Sequence, residues 1–538
     1  MGFLFDEPAA FSRFLAYEYG AEPYVSVGSC GSRASEPLTN STRPCAIPPF
    51  GARIPESGAE FSGFSLVTDH IEYLGSRYRC SRYVLLRWGM RLLHLSDIHF
   101  REPECLNADM DSNLPYRTVL ERDVVAHCAS DGRPVGAILV GGDIAFKAHA
   151  QEYEAARDWL LKLAAKCNCP AERIYVVPGN HDVNRKVCSD SMAVSNAQEA
   201  VVAAHGGEAA RERVLRRQLA DPDTGRALFQ PLAAYNDFAA AFGCNVFPNQ
   251  PFWKDTIDLA QGVKLRLHGL TSTLLSGLGE RDNEPGHLYL SPLQTVLNYE
   301  DDVVNLVLCH HPPVWLLDRT DAEDQINARA MLQFFGHEHK QRCLRDPAFM
   351  RFLAGAVNPD KMEPDWRPGY NLVDLDVIGT GADRRLTIRA LVRQHQAMPE
   401  MFIPQMAGQN IPEWSHSISF PQSVAFVPVV SKPVVAPPLS HTKISDAVHK
   451  AAAEVASEAV KTEVTMSAPS TKRIVFRFWG LTIGERRNIA IKLGLLKQED
   501  FASLEPDHER YTRALREAAS RGLLVALASE IEAIENKR

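Results

Sequence analysis

Short apolar runs recur through the middle of the chain and alternate with polar segments. Each run has the length and the apolar content of a strand that is buried on both faces. The runs cover 92–95, 137–140, 174–177, 265–270 and 303–309. Helical patterns lie between them, and the clearest places Tyr153, Ala156, Leu160 and Leu163 on one helix face. This alternation predicts an α/β domain over about 90–400.

Two further patterns complete this domain. The strand patterns from Tyr370 to Val377 and from Arg385 to Val392 flank a turn at Gly379 to Asp383, which predicts a hairpin that closes the sheet. Residues of about 183–242 are instead rich in Ala, Arg and Glu, and they predict a helical insertion. We therefore expect a cap of helices beside the sheet.

The segments on either side of this domain differ from it in composition. Residues 1–89 are rich in Gly, Ser, Pro and Arg without a period, and we expect a disordered extension or a mis-assigned start with Met90 as the true first residue. Residues 401–470 are rich in Pro, Val and Ser. They predict an extended linker with one helix, from Ser445 to Lys461.

The last segment, 471–538, regains helical signals. Thr482 and Glu485 match a capping box, and Gly494 matches a helix stop. Further helices are predicted from about 507 to 521 and from 523 to 535. We expect a small helical module that binds a protein partner.

Composition and charge narrow the class of protein. The chain has 538 residues, of which 45% are hydrophobic and 23% are charged, so a globular protein with several domains is expected. A formal net charge of -8 argues against general attraction to nucleic acid or to an anionic membrane, although a local basic groove is compatible with it. The 11 cysteines are scattered, and we find neither a signal peptide nor a membrane span. A cytoplasmic protein is expected.

Five short polar motifs carry the candidate chemistry. They are Asp97-Ile98-His99, Gly142-Asp143, Gly179-Asn180-His181-Asp182, His310-His311 and Gly336-His337-Glu338-His339. The first four follow predicted strands directly, and the ends of strands are where open α/β sheets bind ligands. Imidazole and carboxylate groups without thiolates suit Mn, Fe or Zn, and the Asp-x-His and His-x-His spacings let two side chains on one turn reach the same metal or adjacent metals.

In this order the motifs resemble those of the calcineurin-like metallophosphoesterase family. The family pattern is Asp-x-His, Gly-Asp, Gly-Asn-His-Asp/Glu, His and Gly-His-x-His, and each motif is present between about Met90 and Gln394. The resemblance implies a sandwich of two sheets flanked by helices. The stretch from Leu93 to Phe100 is most similar to the cyclic-nucleotide phosphodiesterase and DNA-repair exonuclease branches of the family.

The resemblance also implies two metal ions, Mn, Fe or Zn, that share a bridging carboxylate. By this resemblance one metal is bound by Asp97, His99 and His339, the other by Asn180, His310 and His337, and Asp143 bridges both. It favours His310 over His311 as the ligand of that pair.

His181 and Asp182 are the remaining candidate catalytic residues. The resemblance places His181 near the leaving group, where it would act as a general acid or stabilise charge. Because Asp182 is its neighbour in sequence, we expect the Asp182 carboxylate to orient the His181 ring.

The function expected from these residues is hydrolysis of a phosphate ester by hydroxide that the metals generate from water, with a phosphodiester such as a nucleotide as the substrate. One alternative is a DNA or RNA nuclease effector that is recruited through the helical module. Another alternative, from a different class, is a scaffold whose phosphoesterase domain no longer catalyses. A protein phosphatase has less support, since no docking surface for phosphoproteins is recognisable.

Overall fold

The computed structural model describes residues 89–279, 282–362, 367–421, 471–503 and 505–538, and the backbone of two strands before them. These two strands, β1 (Phe64–Asp69) and β2 (Arg82–Arg87), pair with each other in antiparallel fashion. Apart from these strands and Gly89, the predicted extension 1–89 lies outside the described residues. Among the described helices, none combines the length and the apolar character that crossing a membrane requires.

The first large sheet contains the strands that precede the first three motifs. Its members are β3 (Met90–Leu95), β4 (Ala137–Val140), β5 (Ile174–Val176), β12 (Gly369–Ile378), β13 (Arg385–Ala397), β14 (Glu400–Pro404) and β15 (Trp414–Ser419). The order is β14-β13-β12-β3-β4-β5, and β15 also pairs with β13. Strands β3, β4 and β5 run parallel, so their carboxyl ends meet at one edge of the sheet.

The second sheet contains the strands that precede the last two motifs. Its members are β6 (Trp253–Ala260), β7 (Val263–Gly269), β8 (Val303–Cys309), β9 (Leu332–Phe335), β10 (Arg342–Asp346) and β11 (Phe349–Leu353). The order is β10-β11-β9-β8-β7-β6, with parallel pairing from β7 through β9 and on to β11. The two edge strands are antiparallel to their neighbours.

Both sheets share one hydrophobic core. Every residue of β3 and of β8 is buried, which is the reason that their sequences are almost continuously apolar. Leu93 in the first sheet and Leu306 in the second belong to the same cluster of buried side chains as Leu160 of the flanking helix α2 (Ala150–Lys166). The predicted fold, two sheets flanked by helices, is confirmed.

The remaining helices of this domain lie between the strands. They are α1 (Leu114–Asp131), α3 (Arg185–Asp190), α4 (Met192–Val202), α5 (Glu208–Ala220), α6 (Pro222–Phe229), α7 (Ala233–Ala239) and α8 (Arg319–Arg329). Helices α3 to α7 fall within 183–242, where a helical insertion was predicted. The predicted hairpin corresponds to β12 and β13, and its turn uses Gly379 with a φ of 83°.

The predicted boundary near residue 400 places the end of the sheet too early. Strands β14 and β15 both pair with β13 and therefore extend the first sheet to Ser419. The proline at Pro404 ends β14, which is compatible with an edge position. The remainder of the predicted linker, including the helix expected from Ser445 to Lys461, lies outside the described residues.

The C-terminal module has a hydrophobic core of its own. Its helices are α9 (Thr471–Trp479), α10 (Ile483–Lys492), α11 (Asp507–Ser520) and α12 (Leu524–Glu535). Phe478 and Tyr511 pack against each other in this core with ring centroids 5.7 Å apart. The predicted capping box is present, since the Thr482 hydroxyl accepts from the Glu485 N–H and the Glu485 carboxylate accepts from the Thr482 N–H.

Helix α9 contacts the α/β domain through a lysine, Lys472, whose side chain is 12% exposed. The Lys472 ammonium lies 3.3 Å from the centroid of the Tyr175 ring in β5 and 3.9 Å from an Asp255 carboxylate oxygen in β6. Burial lowers the pKa of Lys472. One turn later, Phe476 packs against Phe242 with ring centroids 6.3 Å apart. Because both faces of this contact are partly desolvated, the cation–π interaction contributes more than it would at an exposed site.

Helix α11 adds polar contacts to the same interface. The Thr512 hydroxyl accepts a hydrogen bond of 2.8 Å from the Asn245 side-chain amide, and the Arg516 guanidinium donates one of 2.6 Å to Gln250. His508 lies 2.6 Å from a carboxylate oxygen of Asp237. The module is therefore packed on the domain through two of its helices.

We predict that Lys472→Met weakens this packing by about 1–2 kcal/mol, because it removes a desolvated cation–π contact while the apolar stem is retained. Hydrogen exchange of the backbone amides in 242–245 and in α9 should become faster. The control is Lys492→Met, since the ion pair that Lys492 makes with Glu530, at 2.7 Å, lies within the module. Equal exchange in the two variants would contradict this role of Lys472.

Candidate metal centre

The polar motifs follow strand ends of both sheets and meet between them. Asp97 and His99 follow β3, Asp143 follows β4, and Asn180 lies in a short 3₁₀ helix after β5. From the second sheet, His310 follows β8 directly, and His337 and His339 follow β9. The site therefore depends on the packing of the two sheets against each other.

The backbone at these strand ends adopts a conformation that is rare for residues with a side chain. The φ angles are positive at Asp97 (54°), His99 (50°), Asp143 (52°), His337 (69°) and His339 (53°). A positive φ at a non-glycine residue is unfavourable and is maintained only when surrounding contacts require it. The clustering of five such residues at one place marks the site independently of its chemistry.

The glycines of the motifs are required by close packing. A Cβ atom at Gly142, whose φ is 97°, would lie 2.7 Å from His310 Nδ1. A Cβ atom at Gly179 would lie 2.1 Å from an Asp143 carboxylate oxygen. Both distances are shorter than any normal contact, so only glycine allows the Asp143 and His310 side chains to occupy their positions.

Asp97, His99 and His339 form one side of the cluster. His339 Nε2 lies 3.2 Å from Asp97 Oδ1, and His99 Nε2 lies 3.3 Å from Asp143 Oδ2. Candidate ligand atoms of Asp97, His99 and His339 all lie within 4.8 Å of one another. Asp97 and Asp143 are buried, whereas the His339 side chain is 20% exposed, so the cluster opens towards solvent on that side.

Asn180, His310 and His337 form the other side. The Asn180 side-chain oxygen lies 3.1 Å from His310 Nε2 and 3.0 Å from His337 Nδ1. His310 Nε2 is also 3.4 Å from Asp143 Oδ2. The Asp143 carboxylate therefore lies between the two sides and contacts an imidazole of each.

The donors and acceptors in this arrangement fit a bound cation. His310 Nδ1 lies 2.7 Å from the Gly141 carbonyl oxygen, which can only accept, so Nδ1 carries the proton. In neutral His310 the lone pair of Nε2 then faces the oxygens of both Asn180 and Asp143. Lone pairs that converge in this way require a positive charge between them, either a proton or a metal ion.

The charges of the cluster agree with this requirement. Although burial raises it, the pKa of Asp143 is held well below its usual value by His310 and His181. Burial also opposes ionisation of Asp97, but His339 keeps its pKa low. Burial disfavours the charged form of His310, yet the Asp143 carboxylate raises the pKa of His310 to about 9. Both carboxylates are thus ionised and attract positive charge.

His181 lies beside His99 and Asp143, and its candidate ligand atom lies within 4.8 Å of theirs. Its Nδ1 lies 2.9 Å from the Phe146 carbonyl oxygen and must donate to it, which leaves Nε2 available to a ligand. Its ring stacks on the Phe146 ring, with centroids 4.9 Å apart, and lies 4.8 Å from the His99 ring. This position is compatible with the predicted role near a leaving group.

The expected role of Asp182 as the residue that orients the His181 ring is wrong. Asp182 is fully buried, and its carboxylate accepts hydrogen bonds from the backbone N–H groups of Ala145 and Gly179 and from the Tyr153 hydroxyl, at distances of 2.9–3.1 Å. Burial and the nearby Asp143 raise the pKa of Asp182 to about 6. Asp182 therefore joins the loops that follow β4 and β5, and sequence adjacency was a misleading signal.

Several contributors were missed or ranked low from the sequence. His311 is fully buried, its Nδ1 lies 2.8 Å from the Ser272 hydroxyl, and its ligand atom lies within 4.8 Å of those of His310 and His337. Phe146 had no recognisable signal, because it follows the Gly-Asp motif as an ordinary apolar residue. His268 is buried, and its Nε2 lies 3.2 Å from the Asn305 side-chain oxygen.

Two sheets thus place a buried cluster of imidazoles and carboxylates, which could hold metal ions, between their strand ends. Residues 90–341 match the family model described as calcineurin-like phosphoesterase, and this part of the chain belongs to that family. Residues 470–533 match the model described as GTPase-associated adaptor domain. The search of curated proteins found no match.

Solved structures with a similar arrangement are distant in sequence. Vps29 from Chaetomium thermophilum is 10% identical, with coverage of 62% of this chain and 100% of that chain and a TM-score of 0.25. A predicted phosphoesterase from Streptococcus pneumoniae TIGR4 is 12% identical, covers 61% and 97%, and has a TM-score of 0.23. Vps29 from Entamoeba histolytica, solved in complex with zinc, is 12% identical, covers 62% and 99%, and has a TM-score of 0.23.

We predict that Asp182→Asn lowers the stability of the metal-depleted protein by about 2 kcal/mol, because an amide cannot replace a buried carboxylate that accepts from several donors. The urea midpoint of unfolding should fall accordingly. Asp190→Asn, at a side chain that is 60% exposed, should leave the midpoint unchanged. An unchanged midpoint for Asp182→Asn would contradict this structural role of Asp182 and favour a purely catalytic one.

Proposed function

We propose that the phosphoesterase domain is a dinuclear metal-dependent hydrolase that acts on phosphodiesters. The observation that carries this proposal is the position of Asp143, whose carboxylate lies between His99 and His310 at 3.3 and 3.4 Å. A carboxylate in this position can contact two cations at once.

The proposed ligands form the two sets that the resemblance implied, and each set contains residues from both sheets. One ion would be held by Asp97, His99 and His339, the other by Asn180, His310 and His337, and Asp143 would bridge them. Such ions supply Lewis acidity, which lowers the pKa of water and neutralises phosphate oxygens. Mn, Fe and Zn all match a ligand set of imidazoles, carboxylates and one amide oxygen.

The chain itself supplies proton transfer and orientation. The hydrogen bond from His181 Nδ1 to the Phe146 carbonyl fixes the ring, so that Nε2 points away from this contact and can pass a proton to the leaving oxygen. Asp143 favours the protonated ring of His181 electrostatically, although burial lowers its pKa overall. Gly141 fixes the tautomer of His310 in the same manner.

The test is hydrolysis of bis(p-nitrophenyl) phosphate and p-nitrophenyl phosphate by metal-depleted protein to which Mn, Zn or Fe is restored singly. We expect metal-dependent cleavage with preference for the diester. His181→Ala should lower kcat by about 10²–10⁴-fold, the usual contribution of a general acid, while metal content stays unchanged. His205→Ala, at an exposed histidine, is the matched control.

Two results would contradict this proposal. If the folded protein binds metal but cleaves neither ester, the domain is a scaffold rather than an enzyme. If His181→Ala loses metal together with activity, His181 belongs to the ligand set instead of the leaving-group side.

We also propose that the C-terminal module recruits a partner protein, which the match to an adaptor-domain model supports. Because that model is described as GTPase-associated, the partner that we propose is a GTPase, and recruitment would direct the hydrolase to its substrate. The second candidate function is a nuclease effector, which a phosphoesterase domain joined to a recruiting module also favours. A cytoplasmic location remains our prediction from the sequence.

Degradation of single-stranded DNA or RNA by the full chain with Mn, with and without the partner, tests the nuclease candidate. Cleavage that requires both Mn and the partner would support it. Intact nucleic acid under all these conditions, from protein that cleaves the small diester, would exclude it.

A further inference from the structure

A small cavity adjoins the metal centre on the side of His99. Its volume is about 130 Å³, and its walls come from His99, from residues between 101 and 117 and from residues 359–361. Several water molecules would fit, at roughly 30 Å³ each, but the cavity is well below the roughly 300–1,000 Å³ of pockets that enclose a drug-sized ligand. It therefore suits one ring-sized group whose attached phosphate lies at the metal centre.

The lining of this cavity is polar and electrically balanced. Arg117 and Asp111 both line it and neutralise each other through a salt bridge. Arg101 and Lys361 add hydrogen-bond donors, and Glu104 adds an acceptor. A hydrocarbon chain would leave these groups unpaired, and a second phosphate would meet carboxylates as well as cations. A group that both donates and accepts hydrogen bonds matches the lining better than either.

Arg101 connects the cavity to the catalytic side. Its guanidinium carbon lies 3.7 Å from the centroid of the Phe146 ring, and Phe146 in turn stacks on His181. Among the described residues, the Arg101 guanidinium donates no hydrogen bond to another side chain. Stacking holds its plane in place without occupying its N–H groups, so these remain available to a ligand.

We propose that this cavity holds the sugar ring of the non-reacting nucleoside of a phosphodiester substrate, with Arg101 bound to the sugar oxygens between the cavity and the metal centre. The proposal rests on the proposed function and names its substrate class. It accounts for the expected preference for a diester, since a diester retains one substituent after the leaving group departs. Arg101 is thus a specificity-determining residue.

The experiment compares two diesters that release the same p-nitrophenolate, bis(p-nitrophenyl) phosphate and the p-nitrophenyl ester of thymidine 5′-monophosphate. They differ only in the group that would occupy the cavity. In Arg101→Ala, the ratio of kcat/KM for the nucleotide ester to kcat/KM for bis(p-nitrophenyl) phosphate should fall about tenfold or more, the loss expected for one charge-assisted hydrogen bond. The loss should appear mainly in KM.

Two variants complete the design. Arg101→Lys retains the charge without the planar fork and should recover only part of the ratio. Arg122→Ala, at an exposed arginine of α1 outside the cavity, should leave the ratio unchanged. An unchanged ratio in Arg101→Ala would overturn the proposal, as would an equal loss for both esters.

Calorimetric binding of thymidine 5′-monophosphate to the metal-depleted full chain separates this proposal from the proposed function. Binding that weakens about tenfold in Arg101→Ala, from protein that hydrolyses neither ester, would retain the subsite and reject the enzyme. If both esters are hydrolysed and the unmodified protein and Arg101→Ala bind the nucleotide equally well, the subsite is rejected and the enzyme is retained.

Discussion

The site depends on the convergence of buried carboxylates and imidazoles at the position of Asp143. Two ionised carboxylates, Asp97 and Asp143, lie almost without solvent between the sheets, and an unpaired buried charge is among the most expensive features of a folded protein. Histidines from both sheets offset this cost in part. Their lone pairs also face the same space, which further favours the binding of a cation there. The packing of the sheets and the affinity of the site for cations are therefore parts of one energetic balance.

The supporting loops show how such a cluster is maintained. Positive φ angles at the strand ends aim side chains inward at a conformational cost that ordinary loops avoid. Asp182 offsets part of this conformational cost, because its carboxylate accepts hydrogen bonds from backbone N–H groups of the loops after β4 and β5. Gly142 and Gly179 permit the close approach of Asp143 and His310. A substitution at Asp182, Gly142 or Gly179 would therefore displace the proposed ligands although it replaces none of them.

Much of this architecture was predictable because burial leaves a direct trace in sequence. Strands such as β3 and β8 are buried on both faces and are recognisable as continuous apolar runs. The motifs were recognisable because metal ligands must be His, Asp or Asn at spacings that a tight turn allows. The helical module was indicated by the capping signal at Thr482 and Glu485, which is local to one helix.

The features that escaped prediction depend on contacts between distant residues. Nothing near Asp182 in sequence indicates that its partners include Tyr153, and Phe146 and Arg101 acquire meaning only through the stack on His181. Strands β14 and β15 lie on the far side of β13, where half-exposed edges weaken the apolar pattern. The packing of Lys472 on Tyr175 joins two segments that lie far apart in the chain, and it had no sequence signal.

The most direct test of a dinuclear centre is the anomalous diffraction of crystals grown with Mn. A dinuclear centre predicts two peaks on either side of the Asp143 carboxylate, about 3.5–4 Å apart, with ligands from both sheets. Asp143→Asn crystals should lose at least one of them. A single peak bound by residues of only one sheet, or peaks that persist unchanged without the Asp143 carboxylate, would contradict it.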